Sequence, residues 1–336
     1  MRQALRILLY GGVAVMLFGG AGRVWAGELG HYTPGSQSIR DYFVPEPGFY
    51  YVEYHSLYRA HTLKNRNGDE VKSITRTGPS GTTTVNADVD INVFVVTPTF
   101  IWASPWQVLG ARYAVYIAPS FSDGSAQVSL SRTRSGGFPD SGVSTTLDAD
   151  TGFGVGDLFV QPVWLGWSGT HYEVSAGYGF YAPTGKEGIG LEFWTNQFQL
   201  AWAWYPFEDR RTAVTLAGTY EIQSNMEDKD LTPGDRFSLN WGVSQYLPLT
   251  NDKRWLAELG VLGYSQWQVE RDSGSDVQQI RNVQLNAKDE VHAAGIQVGL
   301  TFVPWKAGLT VQYQWEFGAE ARFEGENMVV TLVKGF

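Results

Sequence analysis

The chain has 336 residues, with 25 Lys and Arg against 34 Asp and Glu, a formal net charge of −9 and no cysteine. An acidic balance argues against nucleic acid as a partner, and without thiols there are neither disulfides nor thiolate metal sites. Aromatic residues make up 14% of the chain and glycine supplies 39 positions, which suits strands that alternate between apolar and polar side chains and does not suit a disordered chain.

The first 26 residues have a basic end (Arg2, Arg6), an apolar run from Ile7 to Phe18 and a small residue, Ala26, at which to be cut. That is the anatomy of a cleaved secretory signal peptide, because the run falls short of the ~20 apolar residues a spanning helix needs. Cleavage would leave 22 basic against 34 acidic side chains, a net −12. Residues 27–48, with His31, Pro34, Gly35, Pro45 and Pro47, show no sustained period. They read as an irregular segment that could hang in the periplasm or fold back as a plug into a lumen.

From Phe49 to Phe336 alternating segments recur, and twelve strands are expected. They are Phe49–Ala60, Asp88–Trp102, Val108–Phe121, Phe153–Trp167, Thr170–Pro183 and Leu191–Tyr205, then Thr212–Gln223, Gly234–Leu247, Arg254–Val269, Glu290–Val303, Leu309–Phe317 and Glu326–Phe336. Successive side chains of a strand point to opposite faces. In Gly234–Leu247, Phe237, Leu239, Trp241 and Val243 therefore share an oily face, and Arg236, Ser238, Asn240 and Ser244 a wet one. Links after the even-numbered strands are short (Ala103–Gln107, Ser168–Gly169, Pro206–Arg211, Pro248–Lys253, Pro304–Gly308). Those after the first five odd-numbered strands are longer, with His61–Ala87 and Ser122–Gly152 the longest. A soluble sandwich has no reason to gather its short turns at one end. An outer-membrane barrel does, with short periplasmic turns and long external loops.

Large rings flank the short turns: Trp102 and Trp106, Trp164 and Trp167, Trp202, Trp204 and Phe207, Tyr246 and Trp255, Phe302 and Trp305. This predicts a periplasmic aromatic girdle, with an outer belt through Phe180, Trp194, Phe237 and Trp267. A terminal Phe336 on a strand with Met328, Val330 and Leu332 sharing its face agrees with barrel assembly. The expected fold class is thus all-β, a transmembrane antiparallel β-barrel of about twelve strands in the bacterial outer membrane, with lipid as its surroundings.

The stretches DLFVQPVWLGW, YEVSAGYGFYAPTGKEG, FWTNQFQLAWAWYP and DLTPGDRFSLNWGVSQYLPL, between Phe153 and Leu249, resemble the outer-membrane proteins grouped as the putative MetA-pathway phenol-degradation family. The resemblance implies a barrel associated with uptake of aromatic or other hydrophobic compounds. It brings no agreed list of functional residues.

Parity places Glu53, His55, Arg112, Tyr116, Asp157, Glu173, Glu221, Arg236, Ser238, Asn240, Glu258, Tyr264 and Glu316 on the lumen, together with Gln161, Thr195, Gln197, Gln199, Thr219, Gln266, Gln312 and Gln314. Carboxylates outnumber guanidiniums among them, which predicts a lumen that disfavours anions. Tyr116, Tyr181 and Tyr264 could offer ring faces to an aromatic solute. No catalytic, cofactor or metal site is expected: His171 and Ser175 lie too far apart along one strand for direct contact, and no His-Glu-x-x-His or phosphate-cradling glycine loop is present. The expectation is a passive channel for small hydrophobic or aromatic molecules and not an enzyme. The alternatives are an outer-membrane hydrolase built around His171 and a structural or adhesive barrel acting through its long loops. Oligomeric state, gating and the solute are not legible.

Overall fold

A computed structural model describes residues 30–78, 81–135, 143–277 and 288–336; the expected signal peptide and residues 27–29 lie outside it. Sixteen strands are described: β1 (Gly48–Leu63), β2 (Ser73–Gly78), β3 (Gly81–Val108), β4 (Ala111–Ala118), β5 (Phe121–Ser135), β6 (Val143–Asp150), β7 (Gly154–Val155) and β8 (Leu158–Ser168) in the first half. The second half holds β9 (Tyr172–Ala182), β10 (Thr195–Trp204), β11 (Thr212–Gln223), β12 (Arg236–Pro248), β13 (Trp255–Gln268), β14 (Glu290–Phe302), β15 (Ala307–Glu320) and β16 (Phe323–Gly335). Twelve of them, β1, β3, β4 and β8–β16, form one antiparallel ring, closed because β1 pairs with β16 on one side and β3 on the other. Closure leaves no unpaired edge in the hydrocarbon, where an unbonded backbone group would cost several kcal/mol. No described helix is long and apolar enough to cross a membrane.

Polarity along the strands is inverted relative to a soluble protein. On β10, Thr195, Gln197 and Gln199 are buried while Phe198, Leu200, Trp202 and Trp204 are exposed. On β13 and β14, Val261, Ile296 and Val298 are each about half exposed, at 50%, 52% and 52%. Water would not tolerate such a continuous apolar band, but lipid does. The eighth strand of the ring, β12, follows the same rule, with Trp241 and Val243 outward and Arg236, Ser238 and Asn240 inward.

The short links are tight, but the first falls later than the expected Ala103–Gln107, which still belongs to β3 and is paired up to Val108. β3 passes to β4 through Leu109 and Gly110 alone, both at positive φ (53° and 73°), the backbone of a two-residue hairpin turn that matches strand twist. The long external segments are not structureless. The outer half of β3 continues beyond the ring and pairs with β2 and β5, and β5 pairs with β6, so much of His61–Ala87 and Ser122–Gly152 is sheet. The boundary falls where Pro98 of β3 and Pro119, after β4, come opposite in one continuous register: neither can donate to the ladder, and pairing passes there from β4 to β5.

The girdle is real but loses two members. Trp106, Trp202, Trp204, Phe207, Trp255 and Trp305 are exposed at the short-turn end. Trp164 is buried, packed inside with Ala103, Ala114 and Val44. Tyr246 also points inward, under the guanidinium of Arg40 at 4.1 Å. Tyr246 lies on the inner parity of β12, whereas a bulge between Val160 and Val163 switches the parity of β8 and turns Trp164 inward; an aromatic near a turn serves the interface only if it faces out.

Candidate functional site: a ring-lined cavity beside the N-terminal segment

Residues 30–47 lie inside the barrel, running from the external end to the periplasmic one. With no strand partner of their own, their backbone groups are satisfied by lumenal side chains. Tyr32 N donates to Glu221 Oε1 (2.8 Å), Gly35 N to Asn240 Oδ1 (2.8 Å), and Ile39 N to Gln297 Oε1 (3.0 Å). The Gly35 carbonyl accepts from Gln312 (3.1 Å) and Gln314 (2.8 Å). Gly35 has φ +72°, and a Cβ there would sit 2.6 Å from Gln314 Oε1 and 2.7 Å from the Tyr264 ring; only glycine fits. Lower down, Arg40 reaches Ser244 (2.9 Å) and Glu258 (3.1 Å), Ser175 Oγ donates to the Tyr42 carbonyl (2.5 Å), and Glu46 pairs with Arg112 (2.8 Å).

At the external end His31 is clamped, Nδ1 against Thr195 Oγ1 (2.7 Å) and Nε2 against Asp157 Oδ2 (2.9 Å). Burial holds the imidazole pKa below its ordinary value even though the Asp157 carboxylate opposes this. Burial pushes the Asp41 carboxyl up to about 6, against hydrogen bonds from Ser38 N–H and Tyr54 OH that favour its charge.

From Tyr32 to Ile39 the segment lies along β11–β16, lower down it crosses to Ser175 of β9, Ala103 of β3 and Arg112 of β4, and a cavity of about 390 Å³ is left against β1, β3, β4 and β8. The wall is apolar and aromatic, with Val93, Val95 and Ile101 from β3 and Ala118 from β4. Down it runs a chain of rings in contact: His31 stacks on Tyr181 (centroids 4.6 Å), Tyr181 meets Phe159 (4.4 Å), Phe159 meets Tyr116 (5.5 Å), and Tyr116 meets Trp164 (5.6 Å). The opposite rim is charged. Arg236 is paired bidentately with Asp289, and Arg322 lies 3.6 Å from both Asp289 and Glu316. Glu316 accepts from Tyr58 (2.9 Å) and Tyr264 (2.7 Å). These groups come from four strands and the start of β14, so the network ties the external end of the ring together.

Most of the parity assignments face inward. Tyr116, Asp157, Arg236, Tyr264 and Glu316 line the cavity; Glu221, Ser238, Asn240 and Glu258 are buried on the lumen side; Arg112 and Glu173 pair near the periplasmic end (2.7 Å). Glu53 and His55 are the correction. On β1 it is Tyr54, Ser56 and Tyr58 that line the cavity, so Glu53 and His55 lie on the outer wall. There Glu53 accepts from Tyr51 OH (2.6 Å) and sits 2.9 Å from His55 Nε2. Both rows of YYVEYHSLYRA mix rings with polar groups, so alternation alone could not orient this strand. His31, Arg40, Asp41, Phe159, Asp289 and Arg322 are lumenal residues outside the sequence-predicted set. The N-terminal segment has no period to betray it, and Asp289 and Arg322 sit just outside strand ends. His171 lies at a periplasmic turn, its Nδ1 on the Tyr205 carbonyl (2.9 Å), with no hydroxyl nucleophile among its hydrogen bonds. No group of three or more His, Asp or Glu side chains able to hold a metal occurs among the described residues.

The sequence profile of the family described as "Putative MetA-pathway of phenol degradation" matches residues 75–332. The chain belongs to this family. Among curated proteins none matches. Of solved structures, the COG4313 outer membrane channel from Pseudomonas putida F1 is similar over 91% of this chain and 100% of its own, with TM-score 0.59 and 15% identity. The β domain of the Bordetella autotransporter BrkA is similar over 87% and 100%, with TM-score 0.46 and 8% identity. The likeness to the first is one of fold: like it, this family member is a bacterial outer-membrane β-barrel, and the inverted polarity of its wall requires the same setting.

Proposed function

We propose that the barrel is a passive channel for small hydrophobic or aromatic, phenol-like molecules, and that residues 27–48 act as a plug that narrows it. The observation that carries this reading is the continuous row of rings from His31 to Trp164 along a cavity of about 390 Å³. A cavity of that size accepts a single-ring solute, and successive ring faces offer such a solute several near-equivalent positions. A twelve-stranded barrel lies between those whose side chains fill the interior and those that keep an open water channel, so an internal segment decides its bore. The family description agrees with aromatic compounds as cargo.

Uptake into liposomes carrying the mature protein tests both parts, with a panel of phenols, fatty acids and sugars. Phenols should enter faster than sugars of similar size, and deleting residues 27–47 should raise sugar flux and ionic conductance together. Sugars entering faster than phenols in the intact barrel would reject the cargo; unchanged conductance after the deletion would reject the plug. A second reading, a surface that binds an external partner, is favoured by the sheet that β2, β3, β5 and β6 build beyond the ring. Trimming that sheet would then abolish partner binding and leave uptake intact.

A further inference from the structure

The outer wall carries a polar cluster for which passive transport has no use. Ser265 of β13 and His292 of β14 are direct cross-strand partners. Their neighbours Tyr264 and Val291 are buried toward the lumen, so Ser265, His292 and Glu290 share the lipid-facing side. Ser265 Oγ lies 2.8 Å from His292 Nδ1, and Glu290 Oε1 lies 2.9 Å from His292 Nε2. A carboxylate only accepts, so the ring proton belongs on Nε2, and Nδ1 is left to accept the Ser265 hydroxyl proton. Hydroxyl, imidazole and carboxylate joined in that order make an activated nucleophile, its base and the group that orients the base.

The depth is also informative. Ser265 lies ten residues above Trp255, which marks the periplasmic girdle on the same strand. At roughly 3.3 Å per residue and a tilt near 40°, this is about 25 Å along the membrane normal, the height of the apolar band of such barrels. Ser265 therefore sits where hydrocarbon meets headgroup in the outer leaflet. The outer aromatic belt passes through the cluster: Phe237 stacks on Trp267 (6.0 Å), and His292 lies between Trp267 (5.7 Å) and Phe317 (5.9 Å). The ring is reachable, with 29% of the His292 side chain and 35% of Glu290 exposed. Beside it β14 and β15 shift register, and Gly318 (φ +63°) brings the backbone so close that a Cβ would sit 3.2 Å from His292 Cδ2.

We propose that Ser265, His292 and Glu290 form a serine hydrolase site on the outside of the barrel, acting on carboxylic esters of long-chain acyl groups held in the outer leaflet. Ser265 Oγ adds to the ester carbonyl carbon as its proton passes to His292 Nδ1. Collapse of the tetrahedral intermediate breaks the acyl carbon–oxygen bond, and the same proton leaves on the alcohol. Water from the headgroup layer, giving a proton to Nδ1, then attacks acyl-Ser265; the fatty acid departs and the proton returns to Ser265 Oγ. Glu290 accepts from Nε2–H throughout and holds the ring.

The test uses the mature barrel in mixed micelles with dioleoyl-phosphatidylethanolamine, alongside labelling by a fluorophosphonate. Wild type should release oleate and carry the label on Ser265. Ser265→Ala and His292→Ala should each lose at least 100-fold in release, and Glu290→Gln about 10-fold, all three keeping wild-type heat-modifiable migration and phenol uptake. Oleate release from wild type no faster than from Ser265→Ala, or label on another serine, overturns the site while leaving the transport reading untouched.

Discussion

Gly35 is the residue on which the internal segment turns. Its amide and carbonyl are held by Asn240, Gln312 and Gln314, and its positive φ and crowded Cα exclude any side chain. Gly35→Ala should weaken docking of residues 30–47 by about 1–3 kcal/mol, leaving the ring intact. Single-channel recordings would show frequent openings to a larger conductance, and the thermal midpoint of the barrel would not move. Asp41 gives the same segment a pH dependence. Its carboxyl titrates near 3.8 when released and about 6 when docked, so the docked form gains stability as pH falls through that window, by roughly 3 kcal/mol at most. Conductance should fall between pH 7 and pH 5, and Asp41→Asn should remove that part of the response. The difference between the two proteins is the quantity to measure, because His31, whose neutral form burial favours, works in the opposite direction as pH falls below 6.5.

Single strands are governed by which face meets lipid. Val261, half exposed midway along β13, should not accept a charge: Val261→Arg is expected to cost about 2–4 kcal/mol in urea-driven unfolding from vesicles, and Val269→Arg, at the external end, about 0–1 kcal/mol. Equal costs at the two depths would contradict the placement of the apolar band. Strand β1 shows why alternation is a stronger guide on some elements than on others. On β10 one parity is entirely Thr, Gln and Ala and the other mostly large and apolar, so the faces assign themselves. On β1 tyrosines occupy both rows, and Glu53 on the outer wall is made tolerable only by a donor from Tyr51 and a neighbouring His55. The external sheet is hidden in the sequence for a related reason. Its strands are rich in Ser, Thr and Asp, and pairing with a neighbour stabilises them where side-chain pattern does not.

Among the described residues, inward carboxylates (Asp41, Asp157, Glu173, Glu221, Glu258, Asp289, Glu316) outnumber the guanidiniums that face them (Arg40, Arg112, Arg210, Arg236, Arg322). A lumen with that excess should prefer cations. Reversal potentials in a tenfold KCl gradient should show cations passing a few times more readily than anions, and anion preference would contradict this charge balance. The twelve-stranded barrel, the end at which its short turns gather and the eleven lumen residues that do face inward were all legible from period-two alternation and turn length, because lipid on one side of a closed sheet and water on the other impose that pattern on each strand separately. The course of residues 30–47, the ring row from His31 to Trp164, the outward turn of Glu53 and His55 and the meeting of Ser265 with His292 were decided by tertiary structure alone. They depend on register and on contacts between residues as much as 293 positions apart, such as Ser38 and Thr331, which no local pattern encodes.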